Sequence, residues 1–311
     1  MESKQRAWNW ILVLLLLGAD PGRGEEPAGA DQVMVRVAAI SFVPKKFDLA
    51  GNADRLEAAF RRAQRGGAQI AVAPEGTLEG YVVNEIIAGK VPPERMKDVA
   101  VPIDDPVILR FQNLAAELKI CLVFGLAERI DSDVFNCAVF IDNAGKICGK
   151  YHKMQFAEGY DPAWWFNRLG KTCRAFDTPY GRCGLLICND RWNPSLARIL
   201  ALDGAQFLLI PSFGSRSKEQ DKAVLSRGRE NHLPVVEANV GVTLVVDQGK
   251  ITAVDRKEEC VTFGQITIPL TKPQPEERDK AEKTFLEWRK EEMPRRLKRT
   301  KQRNTAKPNP Q

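Results

Sequence analysis

Along most of the chain, apolar runs of strand length alternate with segments of helical period, and this restricts the fold to layers of helix and sheet. Val33 to Ile40 reads as a buried strand, and Asn52 to Arg65 as a helix with Leu56, Ala59, Phe60 and Ala63 on one face. Gly66-Gly67 stops that helix before a second strand, Gln69 to Ala73, which runs into Pro74 and Glu75. Asp105 to Lys119 suits another helix. Strands Ile120 to Leu126 and Val134 to Ile141 follow it, then a turn over Asp142 to Lys146 and strand Ile147 to Tyr151, ahead of His152 and Lys153. Further on come helix Ser195 to Leu202, strand Phe207 to Ile210, helix Lys218 to Asn231 and strand Val235 to Ala238. A hairpin over Val242 to Val254 completes the series. The hairpins make the sheets mixed rather than purely parallel, and no repeat of fixed period is present.

The stretch Arg182 to Pro194 passes from an apolar strand through Cys188 into a turn, where Asn193 and Pro194 read as the cap and first residue of the next helix. A thiol at such a junction lies near backbone N–H groups and a helix start, an environment expected to favour thiolate. Taken alone, a cysteine there reads as a core residue. Its company changes the reading, because Glu75 and Lys153 also stand at strand ends, where reactive groups of α/β folds gather. Acyl transfer needs these three residue types: a thiol to attack a carbonyl carbon, a carboxylate to move its proton, and a cation to hold the oxyanion.

The composition, 44% hydrophobic and 28% charged over 311 residues, is that of a globular chain. Its net charge of +6 reflects cations crowded between Arg295 and Arg303, so nucleic-acid binding by the folded body is not expected. Lys4 and Arg6 precede the apolar run Trp8 to Leu17, and a polar, small-residue stretch to Gly24 follows. This layout predicts a signal peptide over residues 1–24, a mature start between Ala19 and Glu26, a linker over 25–32 and an exported protein; an uncleaved anchor is the alternative. The seven cysteines are odd in number and scattered, so at least one is unpaired. His152 and His232 are the only histidines and no Cys-x-x-Cys pair exists, so no metal is expected. Phosphate-binding glycine loops are missing too, and no cofactor is expected.

Five motifs in order resemble those of the carbon–nitrogen hydrolases of the nitrilase superfamily. They are Ala73-Pro74-Glu75-Gly76, Lys150-Tyr151-His152-Lys153, the elbow Gly184 to Trp192, the strand segment Asp203 to Pro211, and Arg229-Glu230-Asn231 with Asn239. The resemblance implies a four-layer αββα sandwich of two mixed sheets over residues 33–271, and a basic tail, helical or disordered, over 272–311. It implies Cys188 as nucleophile, Glu75 as general base and Lys153 as oxyanion stabiliser, acting on a small amide or N-carbamoyl compound without a cofactor. Glu158 is the candidate for the family's supporting glutamate, with Asp161 competing, and Asn189 and Arg191 are supporting candidates at the elbow. Arg191 is expected to hold a substrate carboxylate. Relatives pair through the elbow helix, which implies a homodimer or larger homo-oligomer, with Glu276 to Arg299 either swapping between subunits or fraying into solvent.

Two departures from the family pattern stand out: His152 replaces an arginine, and Asp255 to Cys260 stands where the family has a small-residue, serine-bearing return strand, with Phe263 to Pro269 resembling the closing strand. A nitrilase acting through the same thiol, and a non-catalytic binding protein on the same fold, are the alternative readings. Tyr81, Tyr160, Trp164 and Trp165 read equally as pocket walls or as packing.

Overall fold

The computed structural model describes residues 33–305. The signal-peptide and linker readings of residues 1–32, and the tail beyond residue 305, lie outside the described residues. In chain order the elements are β1 (Val33–Ser41), α1 (Leu49–Arg65), β2 (Ile70–Val72), α2 (Val83–Ile87), α3 (Pro106–Leu118), β3 (Cys121–Ile130), β4 (Asp133–Ile141) and β5 (Ile147–His152). The second half comprises β6 (Phe176–Thr178), β7 (Gly181–Leu185), α4 (Pro194–Leu202), β8 (Phe207–Ser212), α5 (Lys218–Asn231), β9 (Val235–Asn239), β10 (Val242–Asp247), β11 (Lys250–Asp255), β12 (Cys260–Ile268) and α6 (Pro275–Thr305). Short 3-10 helices cover Pro93–Asp98 and Cys188–Trp192.

Two six-stranded sheets result, in the orders β12-β1-β2-β3-β4-β5 and β11-β10-β9-β8-β7-β6. Each has three parallel central strands, β1-β2-β3 in one and β7-β8-β9 in the other, extended by antiparallel strands on both sides. The sheets thus share one pairing pattern that no sequence repeat announces. They pack face to face through β1, β2 and β3 against β8 and β9, burying Val37, Val72, Val123, Leu209 and Val236 between them. Helices α1 and α3 cover the outer face of the first sheet, where Leu56, Phe60 and Phe111 meet Leu122 and Phe124. Helices α4 and α5 cover the second. This is the four-layer sandwich, and the central strands read as unbroken apolar runs because both their faces are buried.

Local signals explain the helix starts. Asp105 accepts from Val107 N at 2.9 Å with Pro106 at the first position, Asn193 accepts from Ser195 N at 3.0 Å with Pro194 likewise, and Ser217 accepts from Gln220 N at 3.2 Å. The first helix begins at Leu49 rather than Asn52, because Asp48 caps it by accepting from Gly51 N. Strand β6 carries no readable pattern at three residues, and β12 starts at Cys260, inside the segment that departs from the family.

Of the two expectations for the tail, the described residues of the C-terminal region correct the solvated, fraying one. Helix α6 lies on its own chain, with Phe285 and Met293 buried, and packs against α4. Arg174 grips Glu282 with both guanidinium nitrogens at 2.7 Å, and Arg289 donates to the carbonyls of Met154 and Gly170. These charged contacts reach groups far back in the chain, which explains why an amphipathic helix with a low apolar content stays docked. Among the described residues no helix is long and apolar enough to cross a membrane.

Candidate active site

Glu75 follows β2, Lys153 follows β5 and Cys188 follows β7, so parallel central strands and one edge strand deliver all three residues to one end of the sandwich. Glu75 is fully buried. Its Oε1 accepts from Lys153 Nζ at 2.6 Å and from Asn136 Nδ2 at 2.7 Å, and its Oε2 accepts from the Phe213 backbone N–H at 3.0 Å. The carbonyl of Phe213 in turn receives Cys188 Sγ at 3.5 Å, so one residue after β8 ties the carboxylate to the thiol. Close approach at this strand end requires Gly125, since a Cβ there would stand 2.5 Å from Gly76 N and 2.6 Å from Glu75 Cα. Gly214 lies against the thiol: the nearest atom to a Cβ built on it is Cys188 Sγ at 3.7 Å.

Cys188 has φ 46°, a left-handed conformation rare for a side-chain-bearing residue, held by the 3-10 turn that follows it. Two opposing influences act on the thiol that the sequence places in a thiolate-favouring setting. Burial, and after it the Glu75 carboxylate, push the Cys188 thiol up to about 11, while Arg191 and Lys153 pull it less strongly the other way. The net direction favours the proton on sulfur, which gives a neighbouring base a role in attack. Lys153 is the opposite case. Burial opposes its charge, but Glu75, first among the groups facing it, holds the ammonium well above its ordinary value. Its Nζ also lies 5.8 Å from the Tyr81 ring centroid, and Tyr81 stacks on Phe213 at 4.8 Å. Of the four aromatics named from sequence, Tyr81 belongs to the site, whereas Tyr160 packs against Phe156, and Trp164 and Trp165 pack against Phe166.

Burial raises the proton affinity of Glu158, with Lys153 the leading charge against it, so its charge is felt at the lysine. Asp161 instead accepts from Ala163 N and pairs with Lys301 Nζ at 3.4 Å. Asn189 contributes its backbone carbonyl to Gln155 Nε2 at 3.1 Å, and its buried Nδ2 has no partner among the described residues. Arg191 does not offer its charge to a substrate carboxylate. It is 1% exposed, paired with buried Glu237 at 2.9 Å and donates to Ser212 Oγ at 3.1 Å, so it fastens the elbow to β8 and β9. Breaking such a buried pair costs about 3–5 kcal/mol, which makes Arg191 a brace for the thiol's turn. The arginine on α5 that reaches the elbow is Arg227, which donates to the Arg191 carbonyl at 3.1 Å; Arg229 bonds Gly249 O. Asn239 holds the loop over the thiol, accepting from Gly214 N and donating to Ser215 O.

Sequence reasoning missed Asn136, Phe213 and Glu79. Asn136 sits mid-strand, a position whose polar side chain in an apolar run was its only signal. Glu79 is buried and accepts from Ala127 N at 3.0 Å; burial first, then the Glu75 carboxylate, push it up to about 7. With the folded value above the ordinary 4.5, its protonated form favours folding below pH 4.5, and that contribution is lost as pH rises through 7. The wild-type protein is expected to lose up to about 3 kcal/mol over that interval through this group, and Glu79→Gln to lose that part of the slope. Urea unfolding near pH 5 and near pH 8 measures it, and identical slopes in both proteins would remove Glu79 as the cause.

The profile of the family described as "Carbon-nitrogen hydrolase" matches residues 36–272. An N-carbamoylputrescine amidase of Solanum tuberosum is 31% identical over 221 residues, covering 70% of this chain and 71% of its own. A citrullinase of Francisella tularensis is 31% identical over 219 residues, covering 67% and 73%. Among solved structures, an amidase from Nesterenkonia sp. superposes with a TM-score of 0.63 at 22% identity, covering 82% of this chain and 96% of its own. Nit3 of Saccharomyces cerevisiae superposes with a TM-score of 0.66 at 21% identity, covering 81% and 94%. These two structures share the fold.

Proposed function

The chain belongs to the carbon–nitrogen hydrolase family, and from that premise we propose that it hydrolyses a small amide or N-carbamoyl compound through Cys188, Glu75 and Lys153. The observation that carries the proposal is the Glu75 carboxylate itself. One of its oxygens is held by Lys153 and Asn136, and the other lies on the Phe213 peptide that also receives the thiol. Glu75 takes the Cys188 proton as sulfur attacks the carbonyl carbon, the oxyanion forms beside the Lys153 ammonium, and the proton passes to the departing ammonia or amine. Water activated by Glu75 then cleaves the thioester. Glu158 supports Lys153 in its charged state, and the Arg191–Glu237 pair keeps the elbow in place. The carbamoyl relatives favour a substrate ending in a primary amide or ureido group. Purified protein incubated with amides, N-carbamoyl compounds and nitriles, with ammonia release followed, tests this reading; turnover of nitriles alone would replace it with the nitrilase reading.

We also propose that the chain is exported and works as a homo-oligomer. Support for export is the charged start, apolar run and small-residue segment of residues 1–24. Support for assembly is Trp192 beside the elbow helix and Trp288 on α6, 43% and 36% exposed, which line one groove with Pro194 and Phe285. Secreted protein is expected to begin between Ala19 and Glu26 and to exceed the monomer mass. Terminal sequencing that returns Met1, or light scattering that returns a monomer, removes the corresponding statement.

A further inference from the structure

We propose that Glu128, Cys137 and His152 form a binding site for a thiophilic divalent cation of the zinc class, on the face of the first sheet opposite Glu75. Side chains alternate across a strand. Asn136 and Lys153 reach Glu75, so their neighbours Cys137 and His152 are directed to the other side, where they meet Glu128. The register makes this specific. Cys137 is the direct partner of both Leu126 and His152, and Glu128 lies two residues beyond Leu126 on the same face.

Among the described residues this is a group whose potential ligand atoms, one carboxylate oxygen, one thiol sulfur and one imidazole nitrogen, all lie within 4.8 Å of one another. Tetrahedral zinc with its usual bond lengths sets such atoms about 3.5 Å apart, so small side-chain movements complete the site. Sulfur and imidazole ligands select zinc-class ions over magnesium or calcium. Glu128 and Cys137 are buried, while the His152 side chain is 19% exposed on edge strand β5 and leaves a path for the ion and a fourth, water ligand. His152 Nε2 now lies 2.5 Å from Glu128 Oε2, and the Phe135 ring stacks on the imidazole at 4.4 Å, fixing its plane. Cys137 Sγ points toward the Ala138 carbonyl at 3.6 Å; on metal binding its proton is released to solvent. Lys150 also pairs with Glu128 and opposes the ion, but its side chain is 35% exposed and free to swing away. An ion here pins β3, β4 and β5 together directly behind the Asn136 and Lys153 contacts to Glu75.

The test loads the full chain, and its Cys188→Ala variant, with zinc, dialyses both and measures metal content. Cobalt(II) substitution then reads thiolate ligation by its charge-transfer absorption. Both proteins are expected to hold one equivalent of zinc and to show the thiolate band. Cys137→Ser and His152→Gln are each expected to lose the bound zinc, and Cys137→Ser the band. Lys150→Met, which removes the competing cation, is expected to raise zinc affinity about tenfold. Absence of bound zinc in the wild type, zinc retained in His152→Gln, or zinc lost only in Cys188→Ala would each overturn the proposal. Should Cys137→Ser fail to fold, the His152→Gln and Lys150→Met affinities decide alone, and no change in either overturns it.

Discussion

Cys188→Ala is expected to abolish ammonia release from every substrate of the wild-type protein, and Cys188→Ser to leave only traces. The reason lies in the resting state. Burial and the Glu75 carboxylate raise the proton affinity of the thiol, so the proposed reaction has a base take its proton as it attacks. Serine at this position is a harder group to deprotonate by the same carboxylate, so the substitution retains shape and loses the reaction. Alanine removes one small side-chain atom, which reaches the Phe213 carbonyl and Arg191, and the variant is expected to fold normally by circular dichroism. Turnover in Cys188→Ala equal to the wild type would end the thiol mechanism. A wild-type protein inert toward amides, carbamoyl compounds and nitriles, with a Cys188 no faster than the other thiols toward a small electrophile, would leave the binding-protein reading.

The second large effect is expected at the Glu75–Lys153 pair. Lys153→Met keeps the apolar stem and removes the charge beside the oxyanion, for which loss of one donor costs about 3 kcal/mol, or a hundredfold or more in rate. Glu75→Gln keeps the hydrogen-bonding outline but accepts no proton, so both thiol attack and water activation fail. Each single change also leaves its partner charge buried without a mate, because the two groups share a 2.6 Å contact at 2% and 0% exposure. The double variant therefore regains part of the loss, and its kcat/KM is expected to lie well above the product of the single effects. Strict multiplication of the two effects in a double-mutant cycle would show that the residues act independently.

Most helix and strand identities, the cap at Asn193, and the strand-end positions of Glu75, Lys153 and Cys188 were legible in the sequence, because each signal is contained within one element. Periodicity reports which face of an element is buried, and capping reports where a helix starts; neither needs a partner. The motif order singled out Glu75, Lys153 and Cys188 as candidates, and the fold brings the three together. What the sequence by itself left open was everything decided by a group brought from elsewhere in the chain. The Glu75 carboxylate is held by Asn136 and Phe213, which lie 61 and 138 positions away. Arg191 looked available for substrate until Glu237, on a strand it does not neighbour in sequence, neutralised it in the core. His152 looked like a defect in a motif until β3 placed Glu128 beside it, and the cysteine and histidine of that cluster have no metal spacing because three separate strands supply the ligands. The proton affinity of Cys188 belongs here too: burial and a neighbouring carboxylate raise it, and both exist only once the chain has folded around the thiol.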